Sequence, residues 1–144
     1  MSKQNDAIIS IHPHYADAIL SGKKTIELRR RIPSIEIGTR LWIYATRPLG
    51  AVVGSAVVSN LLRGTPREIW RLCKADVSIA RKDYDEYFEG AKTAIGIVLT
   101  DVIRRQPIMI EQLREMRAGF HPPQVLARLS SNDTQSLSRL AYAV

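Results

Sequence analysis

Gly22-Lys23-Lys24-Thr25-Ile26-Glu27-Leu28-Arg29-Arg30-Arg31 is the stretch on which the fold turns. From Lys24 onward, apolar and polar residues alternate. Ile26 and Leu28 fall on one side; Thr25, Glu27, Arg29 and Arg31 fall on the other. A period of two marks a strand packed on one face only. Just upstream, Pro13 to Ser21 reads as a short helix. Pro13 sits in its first turn, Gly22 supplies the left-handed stop, and Ala16, Ile19 and Leu20 form its apolar stripe. Before the helix, residues 7–11 (AIISI) read as a buried strand.

Outward from this core, Thr39–Thr46 (TRLWIYAT) is rich in strand formers, and Arg47-Pro48-Leu49-Gly50 is a turn. Ala51–Leu62 is a long β-branched run interrupted by Gly54, which predicts a bend or bulge. Thr65-Pro66-Arg67-Glu68 has the form of a capping box opening a helix to about Lys74. Ser78 is expected to cap a second helix ending near Gly90. Lys92–Arg104 returns to strand, and Pro107 is expected to end it. Glu111–Arg117 reads as a short helix stopped by Gly119, and the tail, with a polar break at Ser130–Thr134, as helical. Strands cluster around a helical insert and do not alternate with helices. The expectation is therefore an α+β fold, with residues 1–144 as one domain and its core at about 7–129.

The chain carries a net charge of +7, with fifteen arginines against six lysines. The arginine guanidinium is a planar fork that matches phosphate oxygens and stacks on bases. Between Ser21 and Arg47 lie seven basic residues and two acids, a local balance of +5. Cations gathered on one strand repel each other unless an anion lies over them. The nucleic-acid contacts expected are Lys23, Lys24, Thr25, Glu27, Arg29, Arg31, Tyr44 and Arg47. RNA or a nucleotide is the expected partner, DNA a possible one. The competing reading is a solvated sheet-edge face whose charges discourage aggregation. Among these cations Glu27 suits orienting Arg29 or Lys24, or accepting from a base edge, better than taking up a proton. Lys24 and Glu27 are the catalytic residues expected if the protein is an enzyme. Trp42 and Tyr44 share one strand face and would stack on bases if that face lined the cleft; otherwise they form a second core layer. Tyr84, Tyr87 and Phe88 stand at helical spacing and are expected in the core.

Several classes are excluded. A lone Cys73 forms neither an internal disulfide nor a cysteine-rich zinc site. His12 and His14 lack a third ligand at a metal-binding spacing, so capping is their expected role, with His12 an outside candidate for proton transfer. No Walker loop, dinucleotide glycine fingerprint or Gly-x-Ser-x-Gly elbow is found. No cofactor or metal is expected. The first residues lack a charged-then-apolar signal pattern and no long apolar run occurs, so a cytoplasmic protein with no membrane partner is expected.

The segment from His12 to Arg29 (HPHYADAILSGKKTIELR) resembles the opening of the ASCH family, within the PUA-like superfamily. Gly38 before the Leu41–Tyr44 strand, the Asp85–Gly90 helix end before an Ala-Ile strand, and Pro122-Pro123-Gln124 extend the similarity over most of residues 8–129. The resemblance implies a small β-barrel-type mixed sheet flanked by helices, a cleft near the first helix and second strand, and RNA-related or regulatory function. Some bacterial members are enzymes. One group removes acetyl from N4-acetylcytidine with a lysine, a threonine three residues later and a distant glutamate; another is described as ribonuclease. The lysine falls at Lys24, but Glu27 replaces the threonine, and Glu68 and Asp76 compete for the distant acid.

Overall fold

The computed structural model describes residues 5–142. Six strands and five helices follow one another as β1 (Asp6–Ile11), α1 (Pro13–Leu20), β2 (Ile26–Arg29), β3 (Arg40–Ala45), β4 (Ala51–Gly64), α2 (Pro66–Cys73), α3 (Arg81–Tyr87), β5 (Ala94–Met109), α4 (Ile110–Met116), β6 (Leu126–Arg128) and α5 (Ser131–Tyr142). The strands form one sheet in the order β2-β5-β4-β3-β1-β6. Among the described residues only β1 and β3 run parallel, with Ile8 opposite Trp42 and Ser10 opposite Tyr44. The α+β expectation holds: the sheet curls into a half-barrel.

Curvature comes from the two long strands. The β4–β5 register slips at Val52/Gly54, Ser55/Val57 and Val58/Asn60, and each slip adds twist. Gly54 is needed at the first of these. A Cβ there would stand 2.5 Å from the Ile103 carbonyl oxygen and 2.5 Å from a methyl of Leu20. The missing side chain lets α1 plug the concave face, where Ala16 and Ile19 pack with Ile9, Ile43, Val53 and Ile97. On the convex face, Leu113 of α4 and Leu137 of α5 cover Ile8, Trp42, Tyr44 and Ile108. Helices α2 and α3 cover β2 with Ile69, Cys73, Tyr84 and Phe88. Cys73 is buried, as expected.

Three local expectations are corrected. Ser78 does not cap α3: its φ is 49°, and Ala80 precedes the helix. Pro107 does not end β5, which continues to Met109. It lies where β5 skips from Arg104 to Ile108 in its pairing with β4, so its missing N–H costs no ladder bond there. The tail is not wholly helical, since Leu126–Arg128 pairs antiparallel with β1. Of the two readings of Trp42 and Tyr44, the second core layer is the one found: the Trp42 indole is sealed in the convex core and donates to Asp6 Oδ2 at 2.8 Å. Tyr44 lies in the same layer, 4% exposed, so its ring is not free to stack.

Candidate functional site

The predicted polar strand face does not lie in water. Lys24 is 2% exposed and Glu27 6%. The Lys24 ammonium donates to the Val77 carbonyl, stands 3.7 Å from Glu27 Oε1 and lies over the Tyr15 ring at 5.0 Å from its centre. Arg29 donates from Nε (3.1 Å) and Nη2 (2.7 Å) to Glu27 Oε2, and again from Nη2 to the Ser10 carbonyl at 2.6 Å. This last bond ties the edge strand β2 to β1 across the open side of the half-barrel. Ordinary β2 geometry does the positioning: Glu27 and Arg29 are two residues apart, so both point the same way.

The cluster has two cations and one anion, so it carries net positive charge in a desolvated place. Burial pushes the Lys24 pKa below the ordinary lysine value; Glu27 opposes that shift and Arg29 adds to it. The cluster forms one wall of a recess of about 220 Å³, whose other walls include His12, Tyr15, Leu28, Ile79 and Tyr87. Burial, with lesser contributions from Asp83 and Glu27, raises the Tyr15 pKa, so its phenol stays protonated. Glu27 Oε1 and Arg29 Nη1 make no hydrogen bond among the described residues and are not sealed off. The recess thus offers an acceptor beside a donor, between apolar walls. It is smaller than the roughly 300–1,000 Å³ of most small-ligand clefts, which suits one ring system.

A second hollow of about 600 Å³ shares Arg29 and Tyr87 with the recess and adds Arg30, Arg31, Lys92 and Thr93. Arg30 is anchored there by the Tyr87 and Glu89 carbonyls, each at 3.1 Å. The predicted residues therefore separate. Lys24, Glu27 and Arg29 converge in the recess, and Arg31 lines the hollow beside it. Lys23 and Thr25 are exposed and line neither. Tyr44 and Arg47 line a third cavity at the β3–β4 turn. Glu68 and Asp76, the alternatives for a distant acid, are both outside the recess; Glu68 is engaged with the Thr65 cap.

His12 is the N-cap of α1. Its Nδ1 accepts from the His14 N–H at 3.2 Å, so in the neutral ring the proton sits on Nε2; His12 also lines the recess. Among the described residues no group of histidine, cysteine or carboxylate side chains could hold a metal ion. Tyr15 and Tyr87 were missed as site residues. Tyr87 stands at core spacing with Tyr84, yet it is 39% exposed while Tyr84 is 2% exposed. Only the end of a seven-residue helix separates them, which no periodicity reveals.

The ASCH domain family matches residues 9–124. A protein of Zymomonas mobilis subsp. mobilis named ASCH domain-containing ribonuclease is 40% identical over 141 residues, covering 98% of this chain and 95% of that one. The crystal structure of ASCH from Zymomonas mobilis superposes with a TM-score of 0.91 at 41% identity, covering 94% of each chain. The N-terminal domain of Staphylothermus marinus McrB shares the fold alone, at a TM-score of 0.63 and 15% identity over 92% of each chain. With a family match over most of its length and a relative aligned nearly end to end, the chain belongs to the ASCH domain family.

Proposed function

We propose that this protein binds RNA and cleaves it. One unpaired base enters the recess of Lys24, Glu27 and Arg29, and the adjoining phosphates rest on Arg30, Arg31 and Lys92. The observation that carries this reading is a buried, net-cationic cluster whose recess shares Arg29 and Tyr87 with an arginine-lined hollow. The relative named as a ribonuclease supports RNA as the polymer. Glu27 Oε1 and Arg29 Nη1 hydrogen-bond the base edge, and Tyr15 and Tyr87 stack against it at about 1–3 kcal/mol per base. Cleavage needs a group to take the 2′-hydroxyl proton, one to protonate the leaving oxygen, and cations over the phosphate. Lys24, easier to deprotonate than a surface lysine, and His12 at the recess are the proton carriers. Arg30, Arg31 and Lys92 hold the phosphate.

The test is incubation of the purified protein with end-labelled RNA and with DNA of the same sequence. RNA is expected to be cut and DNA left intact, because DNA lacks the attacking hydroxyl. Lys24→Met, which keeps the length of the side chain, is expected to lower cleavage by at least about 100-fold. Arg31→Ala is expected to weaken binding and also to slow cleavage, because one cation over the phosphate is lost. Intact RNA at enzyme excess, with no salt-sensitive binding, contradicts the proposal. A second reading, deacetylation of a free N4-acetylcytidine nucleoside, is favoured by the small recess and by Lys24. Glu27 in place of a hydroxyl, and the absence of Glu68 and Asp76 from the recess, weigh against it.

A further inference from the structure

Among the described residues, Lys24 is the one lysine that lines the recess. Proton transfer does not exhaust its chemistry. Burial makes its ammonium easier to deprotonate than that of a surface lysine, so more of it is free amine near neutral pH. A neutral amine has two N–H bonds and a lone pair. The Val77 carbonyl and the Glu27 carboxylate, 3.7 Å away, are both acceptors, so they engage N–H bonds and leave the lone pair open. No donor among the described residues hydrogen-bonds Nζ. Leu28 and Ile79 supply apolar walls beside it. An amine with an open lone pair in a desolvated pocket is the setting in which lysines form imines with carbonyl carbons.

An intact nucleotide offers no such carbon, because its C1′ is held in the bond to the base. A sugar that has lost its base opens to an aldehyde at C1′. It needs less room than a base, and the recess of about 220 Å³ accommodates it. The phosphate on its 3′ side falls to the adjoining hollow, where Arg30, Arg31 and Lys92 stand. Contacts of this kind to phosphate do not depend on which sugar carries it.

We infer that the recess is also a lyase site for base-less sugars in a single strand, with Lys24 as nucleophile and Glu27 as base. The reaction needs no 2′-hydroxyl and so goes beyond RNA cleavage, although it rests on the same seating of phosphates in the hollow. The Nζ lone pair adds to C1′, and the carbonyl oxygen leaves as water, which gives a protonated imine. Its positive charge acidifies C2′, so a carboxylate suffices to remove a proton there. Glu27 Oε1 makes no hydrogen bond among the described residues and stands 3.7 Å from Nζ, two bonds from which C2′ would lie. The electron pair released at C2′ expels the 3′ oxygen, and the downstream strand departs with a 5′-phosphate. Water then hydrolyses the conjugated imine, which restores the lysine and frees an unsaturated aldehyde on the upstream strand.

The test is incubation of the purified protein with labelled single-stranded DNA that carries one abasic site, with and without sodium cyanoborohydride, which reduces an imine to a stable amine. With the hydride, wild type should give one covalent adduct, mapped to Lys24 by mass spectrometry. Without it, the strand should be cut at the abasic site. A tetrahydrofuran analogue of the site, which has no aldehyde, should give neither product. Lys24→Met should lose both, while Lys82→Met, at an exposed lysine on α3, should keep both. Glu27→Gln should still be trapped but cut the strand at least about 100-fold more slowly, which separates imine formation from elimination. This variant and the mapped wild-type adduct decide the matter if Lys24→Met does not fold. Adducts of equal yield on folded Lys24→Met, or spread over exposed lysines, overturn the inference. So does a wild type that cuts RNA yet gives no adduct, and that result leaves the RNA reading standing. An adduct at Lys24 from a protein that leaves RNA intact supports the lyase and overturns the RNA-cleavage reading.

Discussion

A lysine with 2% exposure is the most consequential single residue in this chain. Its stem fills space beside Tyr15, and its ammonium is held by the Val77 carbonyl and Glu27, so its charge is compensated but not solvated. That has a signature in the pH dependence of stability. Below its lowered native pKa, Lys24 is protonated in both folded and unfolded chains, and the cost of burying the charge is constant. Between that pKa and the ordinary value of 10.5, the unfolded chain holds a proton that the native protein has released, so native stability rises with pH. Urea unfolding of wild type and Lys24→Met at neutral pH and about two units higher measures this. The stability of wild type relative to the variant should increase with pH; parallel profiles would show that Lys24 is not desolvated.

Among the elements, the sequence was most informative where a residue's own backbone chemistry decides the outcome. The Thr65 capping box, the Pro13 start of α1 and the Gly22 stop all follow from side chains acting on the chain beside them. Thr65→Ala should cost about 1 kcal/mol, read as a lower urea midpoint, because the Glu68 N–H loses its acceptor. The Gly54 bend was legible as a break, but not its purpose, which is close approach of α1 and the neighbouring strand. Gly54→Ala should cost about 1–3 kcal/mol by overpacking, with two 2.5 Å contacts to relieve. A wild-type midpoint for that variant would mean that α1 does not sit against β4 this closely. What local patterns could not reveal was partnership at a distance. Pro107 reads as a strand end unless the skipped pairing of β5 is known, and the three residues of β6 become a strand only because β1 is there to receive them.

At the scale of the molecule, the concentration of positive charge was visible in the sequence, but its division was not. The alternation along Lys24–Arg29 brought the right residues together, and the fold then turned that face inward against α1, α3 and β1. Arg31 went to an open hollow, Tyr44 and Arg47 to a separate groove, and Lys23 and Thr25 to the surface. Curvature is the reason: a flat β2 edge would leave Arg29 in water, whereas the half-barrel brings the Ser10 carbonyl within 2.6 Å of it. If RNA lies along this closed side, affinity should fall linearly with salt on logarithmic axes, and Arg31→Ala should reduce the slope by about 0.7. The most direct test of the central claim is a heteronuclear NMR titration with a short RNA oligonucleotide, following backbone amides. The recess and hollow together predict that Ile11, Leu28, Arg29, Arg31 and Thr93 shift and saturate at one concentration. Unmoved signals at those five, with shifts confined to the outer face of α5 or seen nowhere, would contradict it.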